Sequence, residues 1–211
     1  MNIVAFGCSF TLGQSLEDLD SHKVSKLAWP QKLADAVGCT VDNLADKGAS
    51  NKFILYKLLN HEFTQDDIVI VCWSFIDRWC IIQKDDVHQF GIWNTTNLNK
   101  RYSKTLPITK TATAFYEHIH DDEDRIQEMQ RGIEFSRLYL DSKGIKNYHM
   151  SVTQSLVLDN PKSWFKTKIL DVNWKKLKAG QEPGLDGLHP GIKAHQIVAE
   201  KVFELTQGLT I

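Results

Sequence analysis

Only four cysteines occur in the 211 residues, and Cys8, Cys39, Cys72 and Cys80 form no C-x-x-C pair. This spacing argues against a tetrahedral zinc site and against a disulfide scaffold. The thiols read as reduced and mostly buried, as in a cytoplasmic protein. No apolar run approaches the ~20 residues that a membrane span needs. The N-terminus lacks a charged region ahead of its short apolar stretch, so that stretch reads as a first strand and not as a signal peptide. There is no basic block either: 25 Lys and Arg face 26 Asp and Glu, for a formal net charge of −1. The chain therefore shows no electrostatic footprint for nucleic acid or an anionic membrane. Internal repeats and low-complexity segments are also missing. What is present is ordinary for a globular protein, 42% hydrophobic and 24% charged, and long enough for one domain with its own core.

The order of patterns is more informative. "NIVAF" (2–6) is a continuous apolar run, as expected for a strand covered on both faces. "WPQKLADAVG" reads as a helix, with Pro30 in its first turn and Gly38 ending it. "CTVDNLA" predicts a second strand, "SNKFILYKLLNH" a helix capped by Ser50, and "DIVIVCW" (67–73) the strongest strand. From Ser74 to about His120 the pattern is lost, and this stretch is expected to be an irregular insertion within a single domain spanning 1–211. A long helix resumes near Asp121, where "DDED" suits the positive end of the helix, and Gly144 closes it. "KNYHM" predicts another strand, a second irregular stretch follows, and the last helix is expected to start at Pro190. Strands alternating with helices imply a parallel sheet with helices on both faces and right-handed crossovers. In such sheets the working site lies at the carboxyl ends of the strands, where both Ser9 and Ser74 fall.

A serine at such a place is a weak nucleophile unless a base takes its proton and an acid fixes that base. "GLDGLHPG" near the C-terminus supplies both. Asp186 and His189 share one turn-like segment, so the carboxylate can accept from one ring nitrogen while the other faces Ser9. Ser9 alone would read as a small residue in a tight turn, and Asp186 as a turn residue; the pair of segments shifts the balance to chemistry.

These segments resemble the SGNH (GDSL-type) hydrolase family. Its first block, G-D-S-x-T/G, reads G-C-S-F-T here, and its last, D-x-x-H-P, reads D-G-L-H-P. Gly48 in "NLADKGASN" matches the glycine of the second block in position. The resemblance implies a three-layer α/β/α sandwich with a flavodoxin-like parallel sheet and a serine hydrolase mechanism. Ser9 would be the nucleophile, His189 the general base and acid, and Asp186 the residue that orients it. The N–H groups of Ser9 and Gly48 would form the oxyanion hole. It also implies a serine esterase with no cofactor or metal, acting on a small-molecule or glycan ester such as an O-acetyl group on a carbohydrate. Nucleic acid and membrane are not expected partners. Small members of this kind also occur in bacteriophage genomes, where a role on host or viral glycans fits. The sequence lacks the G-x-S-x-G elbow of the larger α/β-hydrolases.

The chain departs from the family in two places. Cys8 replaces the aspartate of the first block, and "SFIDR" stands where the third block has G-x-N-D. That asparagine supplies an oxyanion donor, and losing one such donor typically costs ~10²–10³ in turnover. Ser74, Asn51, Asn94 and Asn97 are the candidates to replace it. Two alternatives to the esterase remain open: an acyltransferase using the same acyl-enzyme, and a binding or scaffold protein that retains the fold with little chemistry. Trp73, Trp93 and Arg78 are candidate substrate-binding residues. The competing reading buries the tryptophans and pairs Arg78 with Asp77. Gly48 also fits a simple need for positive φ, Cys8 and His149 fit packing, His118 and His120 a solvated loop, and the lysines of "NWKKLK" a solvated face.

Overall fold

The computed structural model describes residues 1–19, 24–83, 86–95, 106–158 and 161–209. Its centre is a four-stranded parallel sheet in the order β2-β1-β3-β6, formed by β1 (Asn2–Phe6), β2 (Thr40–Asn43), β3 (Asp67–Trp73) and β6 (Lys146–Ser151). The register runs Asn2↔Thr40 on one side of β1 and Asn2↔Asp67 on the other. The unbroken apolar runs of β1 and β3 follow from their central place. Every residue of β3 is buried, whereas the polar TVDN of β2 alternates toward solvent at the sheet edge. Beyond β6, Ile169 adds a single parallel bridge to His149.

Helix α1 (Ser9–Leu12) is one short turn directly after β1. Helix α2 (Trp29–Val37) packs with the C-terminal α8 (Ile192–Leu205), and α3 (Asn51–Leu59) with α5 (Asp122–Ser142). With the right-handed crossovers that parallel strands favour, these two pairs fall on opposite faces of the sheet. Local chemistry sets the boundaries. Ser50 accepts from Phe53 N–H at 3.3 Å at the start of α3, and Asp121 accepts from Asp124 N–H at 2.9 Å at the start of α5. Helix α8 begins after Gly191 and not at Pro190, because Pro190 pairs with Pro183 in an antiparallel bridge.

The 74–120 stretch is more regular than its sequence predicts. Strands β4 (Trp79–Gln83) and β5 (Asp86–Phe90) form an antiparallel hairpin, and α4 (Leu106–His118) packs near it. Phe90, Ala112 and Phe115 make a small core of their own, on which Trp79 stacks against Phe115 at 4.5 Å between ring centroids. Two short helices, α6 (Gln154–Leu158) and α7 (Trp174–Lys178), interrupt the second stretch expected to be irregular. Among the described residues no helix is long and apolar enough to cross a membrane.

Candidate active site

The chain turns sharply out of β1. A Cβ on Gly7 would lie 2.1 Å from Thr11 Oγ1 and 3.1 Å from the Cys72 carbonyl, so only glycine lets α1 fold back this closely. Cys8 occupies the cap position of α1 and is fully buried, as its packing reading expects. Ser9 opens the helix, and its backbone N–H has no acceptor among the described residues. The loop after β2 runs alongside: Asp46 N–H donates to the Gly7 carbonyl at 3.1 Å, and Asn43 Nδ2 to the Thr11 carbonyl at 2.8 Å. Gly48 follows at φ 67°, and its N–H likewise has no acceptor among the described residues.

On the C-terminal side, Asp186 and His189 form a tight pair. Asp186 Oδ2 lies 2.5 Å from His189 Nδ1, while Oδ1 accepts from the N–H groups of Leu188 at 2.9 Å and His189 at 3.0 Å. Burial by itself would raise the Asp186 pKa. The two backbone N–H groups, the His189 ring and the Ser15 side chain outweigh that and hold it well below the usual carboxylate range. The carboxylate is therefore ionised and fixes Nδ1 as the protonated ring nitrogen, which leaves Nε2 able to accept a proton.

His189 packs edge-on against Phe10, 5.8 Å between ring centroids, which brings the dyad against the residue next to Ser9. Phe10 in turn meets Phe75 at 5.5 Å and Trp174 at 5.2 Å. These rings floor a cleft of about 510 Å3, lined also by Arg78, Leu188 and His189. Ser9 itself is buried, and its Oγ has no hydrogen-bond partner among the described residues, His189 included. In enzymes without substrate such bonds are often long and tighten only in the reacting complex.

The other candidates scatter. Ser74 is buried; its N–H donates to Asn51 Oδ1 at 2.6 Å and its hydroxyl accepts from Arg78 Nη1 at 3.1 Å. Asn51 is spent on this joint, because its Nδ2 turns back to the Ser74 and Phe75 carbonyls at 3.3 and 3.5 Å. The expectation that Asn51 replaces the missing oxyanion donor is corrected accordingly. Asn94 caps its own turn by accepting from Gly91 N–H, and Asn97 and the side chain of Trp93 lie outside the described residues. Trp73 is also corrected: it is fully buried in the main core, and its Nε1 donates to His149 Nδ1 at 3.2 Å. It does not line the cleft beside His189. Arg78 does reach the cleft, with its guanidinium 4.6 Å from the centre of the Phe75 ring. Trp174, Phe10 and Phe75 escaped the sequence reading. A tryptophan heading the lysine run of "NWKKLK" was the available signal, since a wholly solvated face has no use for one.

No protein-family model and no curated protein sequence matches the chain. Solved structures do. A G-D-S-L family protein from Desulfitobacterium hafniense DCB-2 superimposes with a TM-score of 0.56 at 10% identity, over 97% of this chain and 98% of that one. The psychrotrophic esterase EstA from Pseudoalteromonas sp. gives 0.54 at 12% identity, over 99% and 97%. The acetyl xylan esterase Est2A from the rumen bacterium Butyrivibrio proteoclasticus gives 0.56 at 11% identity, over 99% of this chain and 64% of that one. What is shared at such identities is the fold. This chain has the α/β fold of the SGNH (GDSL-type) hydrolases and esterases.

Proposed function

We infer that the chain is a serine esterase that hydrolyses a small ester through an acyl-serine intermediate. The observation carrying this reading is the Asp186–His189 pair at 2.5 Å, set on the wall of a cleft whose floor begins at Phe10. Ser9 Oγ attacks the ester carbonyl carbon while its proton passes to His189 Nε2. The N–H groups of Ser9 and Gly48, which have no acceptor among the described residues, stabilise the oxyanion. Collapse breaks the bond to the alcohol, which leaves with the proton from His189. Water, deprotonated by His189, then attacks acyl-Ser9 and releases the carboxylic acid and the free serine. No metal or cofactor enters these steps. The likeness to an acetyl xylan esterase supports an O-acetyl carbohydrate as substrate.

A second reading, a binding protein with little chemistry, is favoured by one observation. "SFIDR" stands in the place of G-x-N-D, and the candidate replacement Asn51 is committed to the backbone of Ser74 and Phe75. Acetate release from 4-nitrophenyl acetate and from acetylated xylo-oligosaccharides separates the readings. The esterase releases acetate and loses this in Ser9→Ala. Acetyl transfer to added glycerol in preference to water makes it an acyltransferase, and no turnover in a folded protein leaves the binding reading.

A further inference from the structure

The loop that carries Asp186 and His189 is hydrogen-bonded to the nucleophile's own segment through Ser15. Helix α1 ends at Gly13, and Ser15 follows with φ 68°, in the left-handed region that a serine seldom adopts. That backbone conformation turns its carbonyl toward the loop, where it accepts from Leu185 N–H at 2.8 Å. Its side chain is among the groups that hold the Asp186 carboxyl below the usual carboxylate range, which places the hydroxyl beside that carboxylate. The loop lies flat on it: a Cβ on Gly184 would sit 2.8 Å from the Ser15 carbonyl oxygen and 3.2 Å from Ser15 Cβ. The loop is also closed on itself, since Gly184 N–H donates to the His189 carbonyl and Gly187 N–H to the Gly184 carbonyl, both at 2.9 Å. Gly184 therefore links Ser15 on one side to His189 on the other.

We propose that Ser15 is a positioning residue for the Asp186–His189 pair, fixing both the place of the loop and the orientation of the carboxylate relative to Ser9. The proposal rests on the esterase reading of Ser9, His189 and Asp186. Its competing explanation is purely structural: Ser15 is a turn residue whose hydroxyl is incidental. Two variants separate these. Ser15→Gly relieves the left-handed backbone and deletes the hydroxyl. Ser15→Asn tolerates the same backbone and restores a side-chain donor. A turn residue predicts that Ser15→Gly is as stable and as reactive as wild type. A positioning residue predicts full stability in Ser15→Gly with Ser9 reactivity lower by at least about tenfold, the scale of one hydrogen bond to a charged group, and recovery in Ser15→Asn.

The experiment has two readouts. The first is the rate of fluorophosphonate labelling at Ser9 in wild type, Ser15→Gly and Ser15→Asn, alongside thermal melting. The second is the proton NMR signal of His189 Nδ1–H, which needs no reaction. Slowed labelling and a weakened or shifted Nδ1–H signal in Ser15→Gly, both restored in Ser15→Asn, support the proposal. Equal labelling rates and an unchanged signal overturn it. If wild type does not label, the esterase reading fails separately. The proton signal then still decides whether Ser15 orients the pair: a change in Ser15→Gly supports it, and no change overturns it.

Discussion

Replacing Asp186 by asparagine is the sharpest single perturbation of the proposed chemistry, because the structure dictates what the amide must do. Oδ1 of Asp186 accepts two backbone N–H groups, at 2.9 and 3.0 Å, and these keep the asparagine oxygen on that side. The amide NH2 then faces His189 Nδ1, where the carboxylate oxygen lay at 2.5 Å. A donor facing a donor is unfavourable, so the ring adopts the tautomer with its proton on Nε2. That nitrogen no longer accepts the Ser9 proton. In Ser-His-Asp proteases the same exchange lowers turnover about 10⁴-fold. Here a loss of about 10³–10⁴ in kcat/KM is expected, or about 4–5.5 kcal/mol of transition-state stabilisation. The loss should be smaller than in Ser9→Ala, since Asp186 forms no bond to substrate. Hydrolysis of 4-nitrophenyl acetate at neutral pH, with melting temperature as the control for folding, measures it. A folded Asp186→Asn protein within tenfold of wild type would refute the orienting role.

Two further predictions concern the fold. Burial, with the Arg137 charge adding to it, holds His149 at about 3, and burial with the Lys32 charge holds His195 at about 3, against an ordinary value of 6.5. Below pH ~6.5 the unfolded chain binds these protons before the folded one does. Stability is therefore complete above that pH and falls as pH drops toward 3, by about 1.4 kcal/mol per pH unit for each histidine. Urea midpoints at pH 7, 5.5 and 4.5 should decline steadily, and a flat series would show that these histidines accept protons without unfolding. Trp73→Phe removes the donor to His149 Nδ1 and leaves a cavity in the core, so it should cost about 2 kcal/mol or more in denaturant unfolding with ester hydrolysis unchanged. A selective rise in KM with stability intact would return Trp73 to the substrate site.

The central strands and the paired helices were legible because each has an unmixed signal. "DIVIVCW" is apolar throughout and lies in mid-sheet, and Pro30 and Gly38 bracket α2. The hairpin of β4 and β5 was not legible. "WCIIQ" shows no alternation, "DVHQF" is mostly polar, and only the satellite core of Phe90, Ala112 and Phe115 makes sense of them together. At the site, Asp186 and His189 were readable because their contact is local, within one turn. Ser15 was not readable, because nothing in its neighbours announces a left-handed backbone, and its partners come from the far end of the chain. Trp73 misled for a related reason. A tryptophan at the end of a buried strand looks like a cleft wall until the core histidine that accepts its N–H is known.

Every step of the proposed chemistry depends on Ser9 being an activated nucleophile served by His189. Intact-mass measurement after treatment with a broad fluorophosphonate tests it without a guess about substrate, comparing wild type, Ser9→Ala and His189→Ala. An activated Ser9 gives one adduct, mapped to Ser9, absent in Ser9→Ala and strongly reduced in His189→Ala. Wild-type protein that is folded and stays unlabelled over hours between pH 6 and 9, or that labels equally well without His189, would contradict it.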